Sequence, residues 1–377
     1  MKLVIGKDKL LDGVQAAYKA AVKKTMSKED DSILINVQED GIETSGNCLD
    51  YGIVYSTKDV DITETGAVVV NGKILQDIAK KMDGEISLIT DGSRLILISG
   101  TTKADLPTQK LESFPVVDDE TTDDQMVLEI SHKIFKDLIL KTSFAARKDM
   151  IYDSRPYLSS ILFNMAGREI DAVALDGVRF ALRINDVGEI KKSNKFLVRS
   201  KTLDVAARLF ADDDLIKICH KNQKIDENGY SSETVFKTDK ITLVDHSTVG
   251  EFVDYKKLLS QFDNYKDIAI VDVNKLKKSL EKSIIFSAEN VPVVMDFSTD
   301  KINVTYKSVV GYLDDNIEVD YNGTHTENCF NPLLLIDALK SIDEDNILIK
   351  INGTGPILIT SDSGKFKHII SPVIYNN

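Results

Sequence analysis

The sequence predicts an α+β protein made by repeating one small unit, and three observations predict it. First, a strand followed by an amphipathic helix occurs three times. Leu3-Val4-Ile5 precedes Leu10 and Val14, Leu128-Glu129-Ile130 precedes Ile134 and Leu138, and Ile268–Val271 precedes Leu276 and Leu280. The four-residue step keeps both apolar markers on one helix face. Lysine stands before the first marker each time, as Lys9, Lys133 and Lys275. Second, another helix recurs about 60–70 residues after each of these, marked by Leu75, Ile78 and Met82, by Leu203, Ala206 and Phe210, and by Leu335, Ala338 and Ile342. Its three-then-four spacing gives an apolar stripe. Third, each second helix has an extended entry (Val68–Asn71, Phe196–Arg199, Asn328–Asn331) and a following apolar strand (Ile86–Ile89, Leu215–Ile218, Ile347–Ile351). Strand–helix alternation alone is common in α+β domains. Two helix types recurring in order three times argue for three duplicated domains, each a pseudo-twofold pair of strand–helix–strands halves.

The stretch Leu128–Leu182 shows one unit most clearly. Ser131 is placed to cap the helix by accepting from a free first-turn N–H. Ile134, Leu138 and Leu140 read as core-facing, with Lys133, Lys136 and Lys141 on the polar side. Strands follow at Leu158–Met165 and Ile170–Leu175, joined at Ala166-Gly167, and Asp176-Gly177 makes the next tight turn. The first domain boundary is the acidic stretch Val116–Gln125 after Phe114-Pro115, and the second lies near Asp263–Asp267, after Tyr255–Phe262. The domains are thus 1–124, 125–264 and 265–377. The longer interval between the second and third repeats is assigned to polar loops at Asn185–Asn194 and Asn222–Thr234.

At 377 residues the chain is too long for one ordinary domain. No apolar run approaches a membrane span, and the N-terminus lacks a signal-peptide core. Three scattered cysteines (Cys48, Cys219, Cys329) argue against a disulfide framework and fit a reducing cytoplasm. The net charge of −13 opposes non-specific nucleic-acid binding, unless a local basic stripe hides within the sum. The lysines do cluster on predicted helices. The first carries Lys7, Lys9, Lys19, Lys23 and Lys24, the second Lys73, Lys80 and Lys81, and the third Lys133, Lys136, Lys141, Arg147 and Lys148. The fourth has Arg199, Lys201 and Arg208, the fifth Lys275, Lys277, Lys278 and Lys282, and the sixth only Lys340. Acidic residues gather in loops such as Asp118–Asp124 and Asp212–Asp214. Helices on one side of the sheets would present a positive face suited to phosphate. Lysine as a good solvated helix residue is the competing reading.

Catalytic constellations are poorly represented. Gly353-Thr354-Gly355-Pro356 is a turn without the lysine and helix of a phosphate cradle. Cys219 and His220 are adjacent, so on a strand they point to opposite faces and make poor joint metal ligands. His132, His220, His246, His325 and His368 show no ligand spacing. The Asp118-Asp119-Glu120 cluster with Asp123-Asp124 reads as a solvated linker rather than a cation site. No catalytic residue, metal or cofactor is expected.

Several landmarks carry a family resemblance. They are Phe144-Ala145-Ala146 followed by Asp153-Ser154-Arg155-Pro156-Tyr157-Leu158; Ala174-Leu175-Asp176-Gly177-Val178-Arg179-Phe180-Ala181; Gly250-Glu251-Phe252-Val253-Asp254-Tyr255; Phe330-Asn331-Pro332 with Leu335-Ile336-Asp337-Ala338-Leu339; and Ile369-Ile370-Ser371-Pro372-Val373. In this order, from about residue 130 to the end, they resemble the β subunits of bacterial DNA polymerase III, the sliding clamps. The resemblance implies three DNA-clamp domains per subunit and a head-to-tail homodimer closing as a ring. It implies double-stranded DNA as a sequence-blind partner, facing Lys9, Lys19, Lys23, Lys24, Lys73, Lys80, Lys81, Lys133, Lys136, Lys141, Arg147, Lys148, Arg199, Lys201, Arg208, Lys275, Lys278 and Lys282. Further partners would be a DNA polymerase, a clamp-loader ATPase and repair proteins, in the cytoplasm at the nucleoid. Their short apolar peptides would enter a pocket walled by Arg155, Leu158, Leu175, Gly177, Val178, Arg179 and Phe180, by Val253, Lys257 and Leu258, and by Ile369, Ser371, Pro372 and Val373. Surface salt-bridging is the competing role for Arg155 and Arg179. At the subunit interface Ala104 and Leu106 would face Ile285 and Phe286. Departures from the family pattern are Leu175 for Thr, Val178 for His, Val253 for Pro, and the tail Ile374-Tyr375-Asn376-Asn377. Two rivals remain: a repeat scaffold that binds peptides without a topological link to DNA, and a three-domain enzyme with an interdomain cleft.

Overall fold

The computed structural model describes residues 1–21, 31–117, 119, 121–122, 125–148, 155–190, 192–224, 230–246, 250–286 and 291–374, the side chains of 222–224 and 230–231 excepted. Among the described residues the chain runs six times through one pattern of strand, helix and three strands. The first pass is β1 (Lys2–Gly6), α1 (Lys7–Tyr18), β2 (Ser32–Gln38), β3 (Gly41–Asn47) and β4 (Tyr51–Thr57), with an added β5 (Asp61–Glu64). The second is β6 (Gly66–Asn71), α2 (Gly72–Ala79), β7 (Glu85–Asp91), β8 (Arg94–Ser99) and β9 (Thr102–Pro107). The third is β10 (Met126–Ser131), α3 (His132–Leu140), β11 (Ser160–Ala166), β12 (Glu169–Leu175) and β13 (Arg179–Asp186). The fourth is β14 (Asn194–Arg199), α4 (Ser200–Leu209), β15 (Leu215–Lys224), β16 (Tyr230–Lys237) and β17 (Ile241–His246), and a short helix α5 (Tyr255–Ser260) follows. The fifth is β18 (Asp267–Asp272), α6 (Val273–Ile285), β19 (Val293–Ser298), β20 (Lys301–Lys307) and β21 (Tyr312–Glu318), with an added β22 (Asp320–Tyr321). The sixth is β23 (Thr326–Phe330), α7 (Pro332–Lys340), β24 (Asn346–Ile351), β25 (Ile357–Thr360) and β26 (Phe366–Ile370).

The helices state the repetition most plainly. The fourth and eighth residues are buried in each repeat helix: Leu10 and Val14, Leu75 and Ala79, Phe135 and Ile139, Leu203 and Ala207, Leu276 and Leu280, Leu335 and Leu339. In α3 Leu138 is buried as expected, and the rest of the sequence reading is corrected by one residue. The helix begins at His132, so Phe135 and Ile139 take the core positions while Ile134 is only half-buried and Leu140 is 49% exposed. The counterpart of Lys9 and Lys275 is therefore Ile134, not Lys133. Ser131 does cap the helix, accepting from the Ile134 N–H at 3.5 Å. Two further expectations are corrected. Leu158 lies in a 3-10 turn, Pro156–Ser159, ahead of β11. Much of the proposed loop Asn222–Thr234 is hairpin, with Asn222, Gln223 and Lys224 paired to Ser232, Ser231 and Tyr230.

The chain divides into two compact units. Unit 1 comprises Met1–Phe135 and Val205–Val249. It holds the sheet β5-β1-β7-β8-β9 and the longer sheet β10-β15-β16-β17-β4-β3-β2-β6. In the longer sheet β17 pairs antiparallel with β4, from Ile241↔Tyr55 to Asp245↔Tyr51, so strands of the first and fourth halves share one ladder. Unit 2 comprises Lys136–Asp204 and Gly250–Asn377. It holds β21-β20-β19-β23 and β14-β11-β12-β13-β26-β25-β24-β18-β22, in which β13 pairs with β26 from Arg179↔Ile370 to Arg183↔Phe366. Each unit is thus one and a half repeats, joined by backbone hydrogen bonds rather than by side chains alone. No described helix is long and apolar enough to cross a membrane.

Candidate partner-binding site

Of the expected pocket residues, Leu158, Leu175, Phe180, Leu258 and Ile369 share one apolar cluster in unit 2, beside the turn from β12 to β13. Asp176 organises that turn. Its Oδ1 accepts from the N–H groups of Val178 and Arg179, both at 3.0 Å, and its Oδ2 accepts from Arg179 Nε at 2.9 Å. Gly177 sits at φ 101°, where a side chain would be strained. Arg147 Nε donates to the Asp176 carbonyl at 3.0 Å from the other side. Arg179 Nη1 reaches Asp337 at 2.9 Å, and its guanidinium lies 5.7 Å from the Phe144 ring centre. Arg179 thus fixes the turn through two carboxylates and an aromatic face.

Beside the turn, one face of the sheet carries an apolar floor. Leu158, Leu175, Phe180, Leu358 and Ile369 are buried there with Phe252, Tyr255 and Phe262, which lie in the chain between β17 and β18, here the second connector, and Leu258 packs against them. The connector is held by the Asp254 cap, which accepts from Lys257 N–H at 3.1 Å, and by Tyr255, whose hydroxyl donates to Asp171 at 2.5 Å. Burial first, and then that carboxylate, push the Tyr255 phenol well above its ordinary range, so it stays a donor. The lip of the floor is open: Val178 is 50% exposed, and Val253 and Val373 are each 38% exposed. The last described residues reach this lip because Ser371 N–H donates to the Val178 carbonyl at 2.9 Å and Val373 N–H to that of Cys329 at 2.8 Å. Arg155 and Lys257 are exposed, and Ser371 and Pro372 partly so. An apolar floor, an open apolar lip and charged flanks can hold a short peptide. The sequence reading missed Leu358 and Phe252, which share the floor, and Asp337, the second partner of Arg179. Tyr375–Asn377, Asp153 and Ser154 lie outside the described residues.

The basic residues are distributed as follows. Lys9, Lys19, Lys73, Lys80, Lys81, Lys133, Lys148, Lys201, Arg208, Lys275, Lys278 and Lys282 are exposed, and Lys136, Lys141, Arg147 and Arg199 are partly buried. Lys23 and Lys24 lie outside the described residues. In unit 2 several are engaged: Lys141 with Asp343 at 2.5 Å, Lys282 with Asp315 at 2.7 Å and Lys275 with Glu318 at 3.8 Å. At the ends of the sheets, Ala104 is half-buried and Leu106 buried on edge strand β9, both packed into the core of unit 1. On unit 2, Ile285 is 77% exposed, whereas the Phe286 ring lodges against Gly311. Tyr312, which begins edge strand β21, and Val310, two residues before it, are 58% and 68% exposed. Among the described residues no group of His, Cys, Asp and Glu is placed to hold a metal ion.

Duplicated strand–helix–strands halves, with sheets fused from one repeat to the next, are the architecture of the DNA-clamp class of proteins. Family models agree. Those of the DNA polymerase III beta subunit match residues 1–118 (N-terminal domain), 129–240 (central domain) and 262–373 (C-terminal domain). The chain belongs to this family. It is 23% identical to the beta sliding clamp of Staphylococcus epidermidis, with 99% of each chain covered. A solved structure from Eubacterium rectale, assigned to the DNA polymerase III beta subunits, superposes with a TM-score of 0.90 at 25% identity over 100% of both chains. The DNA polymerase sliding clamp of Bacillus subtilis superposes at 0.89 with 21% identity, again over 100% of both.

Proposed function

We propose that the chain is a DNA sliding clamp, a head-to-tail homodimer that closes as a ring around duplex DNA and tethers a DNA polymerase to it, itself catalysing no reaction. The domain limits of this reading are 1–124, 125–264 and 265–377, and its setting is the cytoplasm at the nucleoid. The observation that carries it is the sixfold strand–helix–strands pattern, with at least one lysine on the helix of every half, in a chain of this family. Encirclement asks little of each contact. Lysines that already face carboxylates, such as Lys141, Lys275 and Lys282, release few counterions and grip phosphate weakly, which leaves the ring free to slide. Tethering raises the effective concentration of a bound polymerase at its template.

Ring closure would join edge strand β9 to edge strand β21, with Ile285 and Tyr312 as apolar contacts and Phe286 acting from beneath. The unit 2 slot would take short apolar peptides from the polymerase, a loader ATPase that opens the ring, and repair proteins. Val178 and Val253 at the lip favour aliphatic peptide residues, and Arg179 serves to position the turn.

Retention on nicked circular DNA, measured by gel filtration after loading, tests the topological link. Retention should be lost once the circle is cut. Equal retention on linear DNA, or none on either, overturns the reading and favours a peptide-binding scaffold. Ile285→Asp should convert the sedimenting dimer to monomer, and an unchanged dimer sinks the proposed closure.

A further inference from the structure

On unit 1, the face of the long sheet away from the helices carries a row of cross-strand neighbours: Asn47, Gly52, Val244, Val235 and Cys219. Unit 2 has the same row strand for strand, in Leu175, Phe180, Ile369, Leu358 and Lys350. In unit 2 four of the five, Leu175, Phe180, Ile369 and Leu358, belong to the floor of the proposed partner slot. In unit 1 the chain covers it with part of its own first connector, which lies between β9 and β10. Val117, 9% exposed, packs on Val54, Cys219, Val235 and Val244. A Cβ on Gly52 would lie 2.7 Å from both Val117 γ-carbons, so only glycine leaves the gap that Val117 fills. Asn47, itself buried, donates through Nδ2 to the carbonyls of Pro115 and Val116, each at 3.2 Å, and accepts at Oδ1 from His246 Nε2 at 2.9 Å. Two residues beyond Val117, Asp119 meets Lys237 Nζ at 2.6 Å. An apolar anchor, backbone carbonyls held by a buried amide and a flanking ion pair are the grip of a receptor on an extended peptide.

We propose that this row is a second peptide-binding slot, matched to an extended peptide with a β-branched residue and an acidic residue two positions later, and that Pro115, Val116 and Val117, with Asp119, occupy it in cis. Its likeness to the partner slot rests on the reading given above; its occupancy is read within unit 1 alone. A tethered occupant holds its site at an effective concentration that a free peptide does not match. Each protomer therefore offers partners one open slot, and the filled one ties the first connector to strands of both neighbouring repeats.

Cys219 lies in the slot and reports on it. In a Cys48→Ser, Cys329→Ser chain, iodoacetamide should label Cys219 slowly. Val117→Ser should raise that rate roughly tenfold or more by opening the cover. A synthetic peptide with the sequence of residues 112–121, added in trans, should restore protection, and the same peptide with aspartate at the Val117 position should not. Gly52→Ala gives a second route: it should expose Cys219 without allowing the peptide to protect it, since the gap itself is filled. An unchanged labelling rate in Val117→Ser overturns the cis occupancy. Labelling that the peptide cannot suppress in Val117→Ser, or suppresses equally in Gly52→Ala, overturns the slot. Neither readout involves DNA or the dimer, so it fails independently of the clamp reading.

Discussion

The two fused sheets are built on one plan and finished differently. Across β3, β4, β17, β16 and β15 in unit 1, and β12, β13, β26, β25 and β24 in unit 2, the ladders align residue for residue, and each row begins at a turn whose flanking pair is five residues apart: Asn47 with Gly52, and Leu175 with Phe180. Unit 1 places an amide and a glycine at that pair and draws its own connector onto the row. Unit 2 places a leucine and a phenylalanine there, carries its connector on Phe252, Tyr255 and Phe262, and keeps an open lip at Val178, Val253 and Val373. The comparison teaches that one ladder plan accepts two finishes: in unit 1 Val117 of the chain's own first connector covers the row, and in unit 2 the row is an apolar floor bordered by the exposed Val178, Val253 and Val373.

The largest test removes the aromatic that separates the two rows. Phe180 is 2% exposed among Leu158, Leu175 and Ile369, so Phe180→Ala leaves a cavity and should destabilise the protein by about 3–5 kcal/mol in urea unfolding. It should also abolish capture of partner peptides by the unit 2 slot. A loss under about 1 kcal/mol, within the range of a surface change, would mean the floor is not packed as described. The converse substitution, Gly52→Ala, pushes unit 1 towards the unit 2 form. The added carbon meets Val117, and overpacking of this kind costs about 1–3 kcal/mol. Combining it with Val117→Ala should cost less than the sum, because the second change removes the clash made by the first. Strict additivity would show that Gly52 and Val117 do not meet.

Much of this was legible in the chain. The threefold recurrence of two helix types, the strands that follow them and the turn at Asp176-Gly177 come from hydrophobic period and turn chemistry, and they stand. Misreadings arose where period is ambiguous. In α3 the adjacent apolar residues Ile134, Phe135, Leu138, Ile139 and Leu140 allow two faces, and only the helix start at His132 selects one. The polar sequence around Asn222–Thr234 hides strands because backbone pairing in a hairpin does not require apolar side chains. Fusion of sheets between repeats is long-range pairing and leaves no local mark. The hardest to see was the first connector. Its acidic composition reads as a solvated linker, yet Val117 is buried and Asp119 is engaged, and composition averages over the two residues that matter.

The smallest effect is the ion pair at the end of that connector. Burial raises the Asp119 carboxyl, but hydrogen bonds from Lys237 and from the Thr121 hydroxyl and N–H, with the lysine's charge, outweigh it and hold the group below the usual aspartate range. A carboxylate lowered in the folded state stabilises at every pH above its unfolded value, and that contribution fades as acid protonates the folded group. Asp119 and Lys237 are both partly open to water, so the pair is screened and contributes no more than about 1 kcal/mol. Asp119→Asn should therefore lower the urea midpoint slightly and by a constant amount from pH 8 to about pH 5, and the difference should close below about pH 4 as the native carboxylate takes up its proton. A difference that instead grows on acidification would mean that Asp119 is repelled at this site and that the connector is held by Val117 and Asn47 alone. That result would shorten the grip in unit 1 to a single anchor and a buried amide, and would sharpen the contrast with unit 2, where a helix and three aromatic rings hold the connector down.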